Sequence, residues 1–104
     1  AGEDPIEAVK NLKDYIVHTH AKDGVQHRPF DTRALYAPKH YDLEPAPWDL
    51  ISEVPLGDGN VPWDGYIAAL KEIGYDGFLT IEREVGDDPK ADIEKAVKFL
   101  HKYI

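Results

Sequence analysis

The chain contains no cysteine and no methionine in 104 residues. Without cysteine there are no disulfides and no zinc–thiolate centres, and the redox compartment is left open. Methionine is missing even at position 1, where Ala1 stands. A gene product begins with Met unless it is removed, so the expectation is a piece of a longer chain. No apolar run approaches ~20 residues, so no bilayer-spanning helix is expected. Ala1-Gly2-Glu3-Asp4-Pro5 lacks the charged-then-apolar architecture of a signal segment. Positive charge is also scarce: 12 Lys and Arg against 20 Asp and Glu leave a formal −8. Such a surface repels phosphate backbones and anionic lipid, so neither nucleic acid nor membrane is an expected partner, and cytoplasm is the default location. What remains is enough for one modest core, since 42% of the residues are hydrophobic, well above the composition of a disordered segment.

Helix signals occur three times. Asp4-Pro5-Ile6-Glu7 has an N-cap, a Pro at the first helical position and a Glu three residues after the cap, followed by Ile6, Val9 and Leu12 or Lys13 at helical spacing. Trp63, Tyr66, Ile67, Leu70 and Ile73 repeat with a helical period, and Gly74 follows as the terminating residue. Asp88-Pro89 opens a last helix with the stripe Ile93, Ala96, Val97, Leu100 and Ile104. Strands are expected over 15–22 and 78–83. Between Gly24 and Gly59 lies a long irregular stretch with five prolines, read as a lid with a turn of helix near Trp48–Ser52. Helices alternating with strands imply parallel strands with right-handed crossovers.

The two strands carry the chemistry. In Tyr15–Asp23 and Phe78–Glu84, apolar residues occupy odd positions (Val17, Ala21, Leu79, Ile81). Metal-competent and titratable residues occupy even ones (His18, His20, Lys22, Glu82, Glu84). Alternation puts the two sets on opposite faces. Two parallel strands do not make a stable sheet alone. If helices cover the odd face, the even face looks into an interior that residues outside this chain would complete.

His18-Thr19-His20-Ala21-Lys22-Asp23, Val54-Pro55-Leu56-Gly57-Asp58-Gly59, Val61-Pro62-Trp63, Gly74-Tyr75-Asp76-Gly77 and Ile81-Glu82-Arg83-Glu84, in that order, closely resemble the carboxyl end of sugar phosphate isomerases/epimerases of the xylose-isomerase-like TIM-barrel superfamily. The resemblance covers nearly the whole chain. It implies an α/β fold in which residues 1–104 form the C-terminal fragment of a (β/α)8 barrel, its last two βα units with strands 7 and 8. It further implies a divalent metal, with His20 and Glu82 as two of its ligands and the others on earlier strands. Mn²⁺ is the first expectation, with Zn²⁺, Co²⁺ and Mg²⁺ as alternatives. In the endonuclease branch an Asp-x-His pair precedes the Leu-Gly-x-Gly turn; Ile51-Ser52-Glu53-Val54 has neither, which argues against DNA repair. The epimerases carry an Arg six residues after the ligand histidine; here Gln26 stands there, with His27 and Arg28 just beyond.

The implied function is isomerisation or epimerisation of a small sugar or sugar phosphate by proton abstraction through an enediolate. Glu82 would be ligand and acid/base, Lys22 would bind a hydroxyl or phosphate or stabilise the enediolate, and Arg28 and Glu84 would contact substrate. The fragment would be inactive alone, its partners being the missing N-terminal barrel segment or other copies of itself. A sugar-acid or inositol-type dehydratase on the same barrel is the enzymatic alternative, and a non-catalytic self-associating module is the third reading. Asp23 is read as orienting Lys22 or ending the strand, and Arg83, of opposite parity, as a surface or interstrand ion-pair partner. Gly57-Asp58-Gly59 is either a phosphate cradle or a plain tight turn. His18 packs or supports His20, His40 and His101 are loop and helix-surface residues, and Tyr36, Tyr41 and Trp48 are candidate pocket walls. Trp63 is read as core.

Overall fold

A computed structural model describes residues 2–104, the side chain of Trp48 excepted, so the pocket-wall role read for Trp48 lies outside the described residues. The first helix, α1, runs over Pro5–Asn11, with the Asp4 carboxylate accepting from the Ile6 N–H as its cap. Strand β1 follows at Thr19–Ala21 and β2 at Asp23–Gln26. A short helix α2, Thr32–Tyr36, and two 3₁₀ turns, Pro38–Tyr41 and Trp48–Leu50, lead to β3 at Ile51–Val54. Then come helix α3 at Trp63–Glu72, strand β4 at Leu79–Ile81 and helix α4 at Pro89–Leu100.

β1 and β4 pair in parallel, His20 opposite Thr80 and Ala21 opposite Ile81. The crossover between them includes α3, as the helix–strand alternation predicts. Thr19 Oγ1 donates to the Phe78 carbonyl (2.9 Å) and the Glu82 N–H to that of Ala21 (3.1 Å), so the pairing is locked just before and just after the ladder. The core lies on the odd face of these strands: Ala21 and Leu56 pack with Val9 of α1, Trp63, Ile67, Ala69 and Leu70 of α3, and Ala96 and Leu100 of α4. Helix α3 stops where Gly74 takes φ +75°, a conformation that would strain a side chain.

Three expectations need correction. The strands are shorter than the apolar patterns suggested, and Val17, expected on the buried face, is 88% exposed; pairing begins only at Thr19, so no paired strand flanks Val17. The stretch 24–59 is not irregular throughout, and the turn of helix read near Trp48–Ser52 is present at Trp48–Leu50. β2 and β3 form an antiparallel ribbon, Asp23 opposite Val54 and Gln26 opposite Ile51, with the helical turns at its far end. Such a pairing joins residues far apart in sequence and leaves no local periodicity to read. The stripe of α4 is also divided: Ala96 and Leu100 are buried, whereas Ile93, Val97 and Ile104 are exposed. Val97 and Ile104 instead face an apolar groove of about 470 Å³ shared with Phe78, Leu79 and Ile81.

Asp23 neither contacts Lys22 nor merely ends a strand. Its carboxylate, 3% exposed, accepts from the backbone N–H of Gly24 (2.9 Å), Gly57 (2.9 Å), Gly59 (3.3 Å) and Val61 (3.2 Å), and from Trp63 Nε1 (2.8 Å). Gly57-Asp58-Gly59 is thus a turn wrapped around a carboxylate of the same chain. A Cβ at Gly59 would stand 2.1 Å from Asp23 Oδ1, so only glycine allows the approach. Asp23→Asn keeps the shape but turns an NH₂ group toward N–H donors. It is expected to destabilise the fold by about 3 kcal/mol, read as a shifted urea midpoint in Trp63 fluorescence; an unchanged midpoint would disprove the role.

Candidate active site

The carboxyl ends of β1 and β4 bring the even-numbered residues onto one face, as their parity predicts. His20 Nδ1 lies 2.5 Å from Glu82 Oε2. Lys22 Nζ donates to Glu82 Oε1 (3.0 Å) and to Glu84, and pairs with Glu53 Oε2 at 3.1 Å. His18, one step earlier, stacks edge-on against His20 with ring centroids 5.3 Å apart, and its Nε2 lies 3.2 Å from Thr80 Oγ1. His18 therefore props the His20 ring. Glu84 is the most open member of the group, consistent with a rim position.

Glu53 is the member that sequence reasoning missed. It sits in β3, and the side chain is 12% exposed. Oε1 accepts from Arg83 Nη1 (2.8 Å) and from the Glu84 N–H (2.9 Å), while Oε2 faces Lys22. Arg83 in turn donates through Nε to Asp92 Oδ2 of α4 at 2.7 Å. The expected ion pair of Arg83 is thus present, but it is buried and ties the ribbon and α4 to the end of β4. A charged residue inside a four-residue strand just before the Val-Pro-Leu-Gly turn was the available signal. What it could not show was the partner, because the ribbon register was not legible.

Other candidates lie elsewhere. Arg28 is on the ribbon's far side of Gln26, exposed and paired with Asp49 at 3.2 Å, and makes no ion pair with the Lys22 group. Gln26 is held locally: its backbone N–H donates to the Asn60 side-chain Oδ1 and its Nε2 to the Arg28 carbonyl. Tyr36 and Tyr41 are exposed, as are His40 and His101. Trp63 is core, as read.

The electrostatics favour the charged forms of Lys22, Glu82 and Glu53. Burial alone would lower the Lys22 pKa, but hydrogen bonds to Glu84, Glu82 and Glu53 outweigh it and hold the ammonium above the ordinary lysine range. Hydrogen bonds from Lys22 and then His20 hold Glu82 below the usual carboxylate range. For Glu53, desolvation opposes ionisation, yet Arg83, the Glu84 N–H and Lys22 bring its pKa down to about 2. His20 and Glu82 offer one imidazole nitrogen and carboxylate oxygen side by side, a donor set that suits a first-row divalent ion. No cluster of three or more potential ligands occurs among the described residues.

Paired parallel strands, helices on one face and polar groups at the strands' carboxyl ends define part of a (β/α) barrel with its functional end. A family model of the xylose isomerase-like TIM barrel matches residues 1–103, and the chain belongs to that family. Among solved structures it is similar to a xylose isomerase domain protein from Planctomyces limnophilus, with 34% identity and a TM-score of 0.69 over 97% of this chain. The chain spans 32% of the length of that protein. Nothing matches among curated proteins. No helix among the described residues is long and apolar enough to cross a membrane.

Because the folded pKa of Glu53 is depressed, its contribution to stability is complete above about 4.5 and is lost as pH falls toward about 2. That contribution is on the order of 2 kcal/mol after screening. Glu53→Gln should remove this part of the acid limb when unfolding free energy is followed against pH. Identical slopes in both proteins would show that Glu53 is not so held.

Proposed function

We propose that this chain forms one wall of the active site of a metal-dependent sugar isomerase or epimerase that works by proton abstraction through an enediolate. The family includes sugar isomerases and epimerases. The observation that carries the reading further is the meeting of His20 and Glu82 from neighbouring strands, with Lys22 bonded to the second oxygen of Glu82. His20 and Glu82 would hold the divalent ion, Mn²⁺ first and Zn²⁺, Co²⁺ or Mg²⁺ as alternatives. Such an ion, when bound, draws electron density from a substrate carbonyl and acidifies the neighbouring C–H.

The remaining work falls to the chain's own groups. Glu82, kept ionised by Lys22 and His20, is ready to take a proton. Lys22 Nζ, held by Glu82 and Glu53, would turn the donor it gives to the exposed Glu84 toward a substrate oxygen on which negative charge develops. Glu84, open at the rim, can accept from a sugar hydroxyl, and Arg28 would reach substrate only by leaving Asp49. The further ligands and the second acid/base group would come from barrel segments outside residues 1–104, or from other copies, leaving the chain inactive alone. A cytoplasmic location goes with this reading.

Calorimetric titration with Mn²⁺ tests the ligands. His20→Ala and Glu82→Gln are each expected to weaken uptake at least tenfold, about 1.4 kcal/mol. In the complete enzyme, Glu82→Gln should lower kcat by about 10²–10⁴. Uptake unaffected by both substitutions would sink the assignment.

A further inference from the structure

In many (β/α)8 barrels a substrate phosphate is seated by backbone N–H groups of the loops after the last two strands and by a helix N-terminus. Here the loops that follow β1 and β4 already hold anions, and those anions belong to the chain. The turn after the β2–β3 ribbon donates its Gly57, Gly59 and Val61 N–H groups to Asp23. The loop after β4 donates its Glu84 N–H to Glu53 at 2.9 Å. The start of α4 also carries an anion of its own, the Asp88 carboxylate, which accepts from the Ala91 N–H at 3.0 Å.

Side-chain charge points the same way. Around the site, Lys22 and Arg83 face Glu53, Glu82, Glu84 and Asp92, two cations against four carboxylates. Each of these cations already touches at least two carboxylates. Lys95 is taken by Asp58 and Arg28 by Asp49. A divalent ion would bring this wall to about neutrality, leaving nothing to offset the two charges of a phosphate monoester.

We propose that the substrate is a neutral polyhydroxy carbonyl compound, with no phosphate ester on the part that lies over these two loops. Asp23 and Glu53 occupy the seats that a phosphate would need. The carboxylates instead suit hydroxyl groups, which can donate to them without bringing further negative charge. The inference rests on the isomerase reading for the sugar, and on the loops alone for the exclusion of phosphate.

Two measurements separate these parts. In the first, inorganic phosphate is titrated into the protein while the amide resonances of Gly57, Gly59, Glu84 and Val85 are followed. No saturable shift is expected up to tens of millimolar. Saturation at those amides in the low millimolar range would overturn the exclusion whatever the enzyme does. In the second, the complete enzyme, with the barrel segments outside residues 1–104 and loaded with Mn²⁺, is offered a neutral ketose and its terminal phosphate monoester. The neutral sugar should bind at least tenfold more tightly, and the gap should narrow several-fold in Glu84→Gln, which removes one repelling charge from an exposed position. Equal or tighter binding of the ester, or a gap that Glu84→Gln leaves unchanged, would overturn the proposal while the sugar reading stands. If neither compound binds, the isomerase reading falls and the substrate class falls with it.

Discussion

The Asp23 carboxylate gathers five N–H donors from three places in the chain: its own strand end, the turn at 57–61 and the first residue of α3. A buried carboxylate is costly unless it is fully hydrogen-bonded, and buried N–H groups are costly when left unpaired. At Asp23 each cancels the other. The residue follows Lys22 directly, so the carboxyl end of β1, where His20 and Lys22 stand, is anchored to the start of α3. The position of the candidate site therefore depends on an interaction that takes no part in its chemistry.

Glu53 repeats the device nearer the reacting face. Its carboxylate satisfies Arg83, a backbone N–H and Lys22 together. Removing one partner of such a buried group leaves the others uncompensated, which is why the arrangement is specific even where its net contribution to stability is modest. Through Glu53 the ribbon of β2 and β3 is coupled to both strands of the parallel pair. The same two internal anions explain why the loops of this barrel segment are rich in glycine and amide donors and yet offer no seat to an external phosphate.

The helices were the most legible elements because their signals are local. Asp4-Pro5 and Asp88-Pro89 cap and open helices, and the Trp63–Ile73 period ends at a glycine whose φ is positive. The parity of His20, Lys22 and Glu82 was legible for the same reason, since a strand alternates whatever its neighbours do. The ribbon was not, because Asp23–Gln26 and Ile51–Val54 are joined only through their register. Val17, Ile93, Val97 and Ile104 were placed by apolar pattern alone, and a pattern names a face without saying whether anything packs on it.

Sequence by itself determined the three longer helices, though not Thr32–Tyr36, the alternating faces of the two strands, the family resemblance and the placing of His20 and Glu82 on a common face. Tertiary structure decided that Asp23 holds a turn rather than Lys22, that Glu53 joins the site, and that Arg83 is buried between ribbon and helix. The physical reason lies in range. Capping and alternation act over a few residues and leave their mark in composition and spacing. A carboxylate's choice of partner depends on which donors the fold carries within 3 Å or so of it, and those donors come from positions 30 to 60 residues away, on the order of half the chain.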